Sequence, residues 1–147
     1  MSQMSLSSQN IHDIRATWSE LAQDAEGTTD AFYAELFRIA PDVRPMFADT
    51  DLTKQGRKLA AAIGLVVRHA DNLVPMVAPL REMGARHAGY GVEDRHYDAV
   101  GQALIATLQA RLGPTFTPAA RDAWIAAYSA VAGTMQAGAA DLTRQSA

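Results

Sequence analysis

The chain has 147 residues, 48% of them hydrophobic, which fits one globular domain able to bury a core without staples. Thirteen basic against sixteen acidic residues give a formal net charge of −3, which argues against a general nucleic-acid binder. The absence of cysteine excludes a disulfide framework, thiolate metal sites and a cysteine nucleophile. The first ten residues have neither the basic start nor the apolar core of a signal peptide. The most apolar run, residues 59–67, is too short to span a bilayer. A cytoplasmic protein with no membrane or nucleic-acid partner is expected.

Taken in chain order, the hydrophobic pattern is helical throughout. Ile11, Ile14, Trp18 and Leu21 recur at helical spacing and predict a first helix over about residues 8–25, capped by Ser8 or Asn10 and stopped at Gly27. A second helix, capped by Thr28 or Thr29, carries Phe32, Leu36 and Ile39 on one stripe and Tyr33 and Phe37 on the next. Pro41 ends it and opens a short turn, PDVRPMF, that closes at Phe47. A third helix runs to about His69 with Gln55, Leu59, Ile63 and Val66 or Val67 on one side.

Pro75 and Pro79 split residues 73–90 into two short pieces, with Pro79 near the start of the second. Leu80, Met83 and His87 share a face of that piece. GYGVED is a hinge. A long helix then reaches about Leu112 with Tyr97, Val100, Leu104 and Leu108 in register. Gly113-Pro114 stops it, and Thr117-Pro118 starts a last helix carrying Trp124, Tyr128, Val131 and Met135. No stretch reads as a strand. Residues 8–142 are expected to form the domain, with flexible ends at 1–7 and 143–147.

Four histidines are present, and no two share a helical i, i+4 spacing with carboxylates, so a helical zinc or di-iron site is not expected. Phosphate-binding loops and a nucleophile elbow are absent, which removes the common hydrolase machinery. His87 stands out on its apolar stripe. It fits a buried imidazole satisfied by a backbone carbonyl. The sharper reading is a metal ligand, and one protein ligand holds iron well only where a macrocycle supplies the others, as in haem. By residue type alone Tyr33 reads as core or as a polar pocket residue, Gln55 as solvent-facing or pocket-facing, and Lys58 as a solvated charge or an anion partner. His96 reads as a surface or helix-start residue and His12 as surface.

The ordered motifs are a Trp-bearing first helix, FYAELF, PDVRPMF, a long helix, GARHAGYGV, HYDAVGQALI and AWIAAYSAV. Together they resemble the globin family, and most closely bacterial single-domain globins similar to the haem domain of flavohaemoglobins. The resemblance implies an all-α globin fold of about six to eight helices around one haem b (iron protoporphyrin IX). It implies His87 as the proximal iron ligand, with its Nδ1–H given to a backbone carbonyl, and Phe47 as the aromatic wedged against the porphyrin behind Pro41. On the distal side it implies Tyr33, Gln55 and Leu59. Ile63 and Met83 would line the pocket, Val92 and Tyr97 its proximal wall. Lys58 would reach a propionate, with Arg57 or Arg86 as further candidates.

The implied function is reversible binding of O₂, CO, NO or another small gas at a pentacoordinate iron. The alternatives are a haem enzyme for NO dioxygenation or nitrite or peroxide chemistry, a gas sensor, or a haem-free helical interaction module. One position departs from the flavohaemoglobin pattern, where a Tyr and a Glu support the proximal His. Tyr97 matches the Tyr, but the Glu falls at or near Ala139. That weakens the expectation of oxygen activation. With 147 residues there is no room for flavin and nicotinamide domains, so turnover would need an outside reductase. A monomer and a homodimer are both compatible with the sequence.

Overall fold

A computed structural model describes residues 6–146, apart from the side chains of residues 142–146. Residues 1–5 and 147, parts of the two ends expected to be flexible, lie outside the described residues. Six α-helices make up the described chain: α1 (Ser8–Leu21), α2 (Ala25–Ile39), α3 (Leu52–Arg68), α4 (Val77–Gly89), α5 (Asp94–Leu112) and α6 (Pro118–Ser146). No strand occurs among the described residues, as the helical periodicity predicts.

Local chemistry fixes the helix starts. Ser7, rather than Ser8 or Asn10, caps α1: its hydroxyl accepts the Asn10 N–H at 3.0 Å, and the Asn10 side chain accepts the Ser7 N–H at 3.1 Å. Such a reciprocal box satisfies two orphan donors at once. The break after α1 comes earlier than Gly27. A 3₁₀ turn at Ala22–Asp24 separates α1 from α2, and the Asp24 carboxylate accepts the Gly27 N–H at 3.0 Å. Gly27 is therefore the third residue of α2 and not a stop. A Cβ there would lie 2.2 Å from the Asp24 carboxylate, so the missing side chain is what lets the cap fold back. Thr28 and Thr29 are not caps either. They are buried inside α2 and donate to the carbonyls of Asp24 and Glu26.

Downstream boundaries follow the prolines and acidic caps. Pro41–Phe47 forms a 3₁₀ segment, and Asp51 caps α3 through the N–H groups of Thr53 and Lys54. Val74–Met76 forms the first short piece, and Pro79 sits in the first turn of α4, where no interior hydrogen bond is lost. Gly91, at φ +91°, turns the chain between α4 and α5. Thr117 caps α6 through the Ala120 N–H at 3.1 Å.

Three apolar clusters hold the helices together. Ile14, Leu21, Leu108, Leu112 and Trp124 join α1, α5 and α6, and the buried indole of Trp124 donates to Thr17 Oγ1 at 2.8 Å. Phe32, Tyr33, Leu36, Val43, Ala99 and Ala103 join α2 to α5 and to the 3₁₀ segment. Met76, Leu80, Tyr97, Ala132 and Met135 join α4 to α5 and α6. α4 lies chiefly on α6, whereas α3 lies on α2 and α1, and α3 and α4 have no extensive contact with each other.

The α4–α6 crossing depends on two glycines. A Cβ on Gly84 would fall 1.9 Å from the Met135 carbonyl oxygen, and one on Gly138 would fall 2.0 Å from that of Arg81. Neither backbone can yield without parting the helices. Gly84→Ala is therefore expected to destabilise the fold by about 1–3 kcal/mol through overpacking, read as a lower urea midpoint. An unchanged midpoint would mean that the crossing is looser than described.

Candidate functional site

The second helix supplies the first part of the site. Tyr33 is 6% exposed, and its ring meets Phe32 and Phe47 edge-on at 5.2 and 5.6 Å between centroids. Phe37 stacks beside it at 6.1 Å and meets Phe47 at 5.5 Å. The Arg44 guanidinium caps the group 4.8 Å from the Phe37 centroid. Leu59 of α3 packs half-buried against the same cluster. The geometry thus brings Tyr33, Phe47 and Leu59 together.

Gln55 of α3 reaches the Tyr33 side chain from the facing helix. Burial pushes the Tyr33 phenol up to about 12, and the Gln55 bond acts against that rise.

The fourth helix supplies His87. Its ring is half-buried, and Nδ1 lies 2.7 Å from the Met83 carbonyl oxygen one turn earlier. A carbonyl only accepts, so Nδ1 carries the proton and the Nε2 lone pair is left available. Nε2 has no hydrogen-bond partner among the described residues. The chain folds back directly after it: the N–H groups of Tyr90 and Val92 both bond the His87 carbonyl, at 3.0 and 3.1 Å. Met83 and Val92 pack with Tyr97.

Tyr97 is 9% exposed, and its hydroxyl has no hydrogen-bond partner among the described residues. Burial and the nearby Asp94 push its phenol up. Its carbonyl accepts the Tyr128 hydroxyl at 2.6 Å, which anchors the Tyr97 backbone to α6. Ala139, the position of the expected supporting carboxylate, offers none, and the nearby Asp141 is engaged in an ion pair with Arg81.

Ile63 sits apart from Leu59, packing half-buried against the α1–α5–α6 cluster. Of the three candidate cations, Arg57 reaches Glu26 at 4.0 Å and Arg86 reaches Glu82 at 3.7 Å. Lys58 is exposed and has no acidic partner among the described residues. A separate groove of 740 Å³ between α5 and α6 shares only Tyr97 with the residues named for the site.

His96 departs from expectation. It stands at the start of α5 but is 4% exposed, and its Nδ1 accepts the Glu93 N–H at 2.8 Å. The Glu93-x-x-His96 register is that of a capping box, which marks the helix start and not the burial of the ring. The pairing of Gly84 with Gly138 had no comparable signal, because helix contacts distant in sequence leave no mark in local periodicity.

Residues 30–135 match the family model described as Globin. Among similar proteins is a flavohemoprotein of Vibrio cholerae serotype O1 (strain ATCC 39315 / El Tor Inaba N16961), 29% identical over 126 residues, covering 84% of this chain and 32% of that protein. A flavohemoprotein of Bacillus subtilis (strain 168) is 29% identical over 132 residues, covering 86% of this chain and 32% of its own length. The chain thus spans about a third of the length of these two relatives.

The raised Tyr33 phenol has a consequence at alkaline pH. The unfolded phenol ionises near the ordinary tyrosine value of 10.0 and the folded one near 12. The stability this group contributes is complete below pH 10 and is lost as pH rises to about 12. Tyr33→Phe is expected to flatten that part of the stability profile without removing it, since buried Tyr97 and Tyr128 shift in the same direction. Urea midpoints measured from pH 9 to 12 check this, and superimposable profiles would contradict it.

Proposed function

The chain belongs to the globin family, and from that membership we propose that residues 8–142 bind haem b in the space between α3 and α4 and hold a diatomic gas there reversibly. The observation that carries the reading is His87, whose Nδ1 is committed to Met83 and whose Nε2 is left free to act as an axial donor. The surrounding side chains fit a flat, largely apolar group. Phe47, Leu59, Met83 and Val92 are half-buried, and α3 and α4 lack the mutual packing that would cover them. Ile63, packed half-buried toward the α1–α5–α6 cluster, would meet the group only at its edge.

Bound haem would supply an iron with one position for an imidazole and one for a gas molecule. The chain supplies the rest. The Met83 carbonyl fixes the His87 tautomer and ring orientation, and makes Nε2 a better donor. The Tyr33 hydroxyl would give a polarised gas ligand a hydrogen bond, with the Gln55 amide beside it as a second polar group. Such a bond contributes about 0.5–1.5 kcal/mol, equivalent to roughly two- to twelvefold in residence time. Burial at pKa about 12 keeps the phenol protonated across the physiological range. Lys58, exposed and without an acidic partner among the described residues, is the cation proposed for a propionate. Tyr97 would stand on the proximal wall.

A second reading, NO dioxygenation with electrons from a separate flavoprotein, draws on the flavohemoprotein names of the relatives. Against it, no carboxylate occupies position 139, and the Tyr97 hydroxyl lacks a partner. Reversible gas binding is therefore the preferred function. A cytoplasmic location belongs to the same proposal. Among the described residues no helix is long and apolar enough to cross a membrane.

Absorption spectra test this directly. The haemin-reconstituted protein should show a Soret band, a five-coordinate high-spin reduced form and a sharp shift with CO. No uptake of haemin would refute the reading, and a six-coordinate reduced form would remove the open gas position. His87→Ala should lose tight haem binding, while an unaltered spectrum would reject His87 as the ligand. Tyr33→Phe should speed O₂ dissociation by up to about tenfold in stopped-flow measurements. An unchanged rate would reject Tyr33 as the donor.

A further inference from the structure

The 3₁₀ segment that carries Phe47 and the turn that follows His87 are joined through one carboxylate. Asp42, the second residue of that segment, places Oδ2 2.6 Å from Arg95 Nη1. The same oxygen lies 3.6 Å from His96 Nε2. Arg95 is steadied from its other side by Glu93 Oε1 at 3.1 Å. Arg95 also holds the Asp42 carboxyl below the usual carboxylate range.

His96 adds a second attraction. Because its Nδ1 accepts the Glu93 N–H, the neutral ring carries its proton on Nε2, the atom that faces Asp42. That Nε2 is buried and has no hydrogen-bond partner among the described residues. An unpaired buried donor favours any movement that brings an acceptor closer. Asp42 also stands at the N-terminal end of α5, where the helix dipole favours a negative charge. Charge, a buried N–H and the dipole all draw this carboxylate to one place.

Its neighbours on both sides belong to the candidate site. Val43, next in sequence, packs against Ala99 and Ala103 of α5, and Phe47 closes the segment against Tyr33 and Phe37. On the other side, Glu93 directly follows Val92, whose N–H bonds the His87 carbonyl. We infer that Asp42 is a positioning residue, which holds the Phe47-bearing segment in register with the Tyr90–Glu93 turn and thereby sets how firmly the protein retains haem. The inference rests on the haem reading above. An exposed ion pair contributes little to global stability, so the effect belongs to retention and not to folding.

The test measures haem transfer from the haemin-loaded protein to excess apomyoglobin, alongside the urea midpoint of each apo-protein. Asp42→Ala should release haem about tenfold faster with an unchanged midpoint. Asp42→Asn keeps an acceptor and should show a smaller increase. In a Phe47→Leu background, Asp42→Ala should add less than about twofold, because both changes act through the same segment. Unchanged release in Asp42→Ala, full additivity with Phe47→Leu, or a loss of retention that tracks loss of apo-protein stability would each overturn the inference. If the parent protein takes up no haemin, the haem reading itself fails and the inference falls with it. Parent uptake with indifferent Asp42 variants overturns the inference alone.

Discussion

The close crossing of α4 on α6 governs the architecture around the site. Two glycines let backbone meet backbone, Gly84 at the Met135 carbonyl and Gly138 at that of Arg81. Van der Waals attraction falls steeply with separation, so an approach this close secures a short helix with few side chains. With α6 as its main support, α4 needs little from α3. The half-buried apolar residues Leu59, Met83 and Val92 are consequently left without the tight burial of the three main clusters. His87 stands one turn beyond Gly84, close to the point where the helix is fixed.

Polar satisfaction follows the same division. Most buried polar groups have a clear partner, such as the Trp124 indole on Thr17, Thr107 on the Ala103 carbonyl and the Tyr128 hydroxyl on the Tyr97 carbonyl. The unpartnered side-chain atoms include Tyr97 Oη and His96 Nε2, which lie one residue apart at the start of α5. Buried groups left unpaired are uncommon and mark places where structure serves something besides stability. Both stand on the helix turn that follows Val92.

Much of this was legible in the sequence because it is governed by local rules. The stripe Leu80, Met83 and His87 set the face of α4, and the 3.6-residue period placed the His87 ring one turn beyond the Met83 carbonyl. Pro41, Pro79 and Pro118 marked starts correctly, since a missing N–H has the same consequence in any context. Gly27 was misread because the intrinsic cost of glycine in a helix, about 1 kcal/mol, is outweighed by an aspartate three residues earlier that needs the space. The inward turn of His96 and the bridge from Asp42 to Arg95, 53 residues apart, depend on tertiary contact and leave no periodic signal. The Tyr33–Gln55 bond lies between these cases. Each residue could be singled out, but their meeting depends on how α2 packs against α3.

The division of the core into three clusters also bears on motion. The cluster beneath α4 is built largely from α4 and α6, and α6 also carries Trp124 of the α1–α5–α6 cluster. Parts of a fold open to solvent with different free energies, according to how each is packed. The main support of α4 is its crossing with α6, so exchange of its amide protons is expected to require that crossing to part. Anything that binds to His87 would slow exchange first in α4, well before protection changes at Trp124.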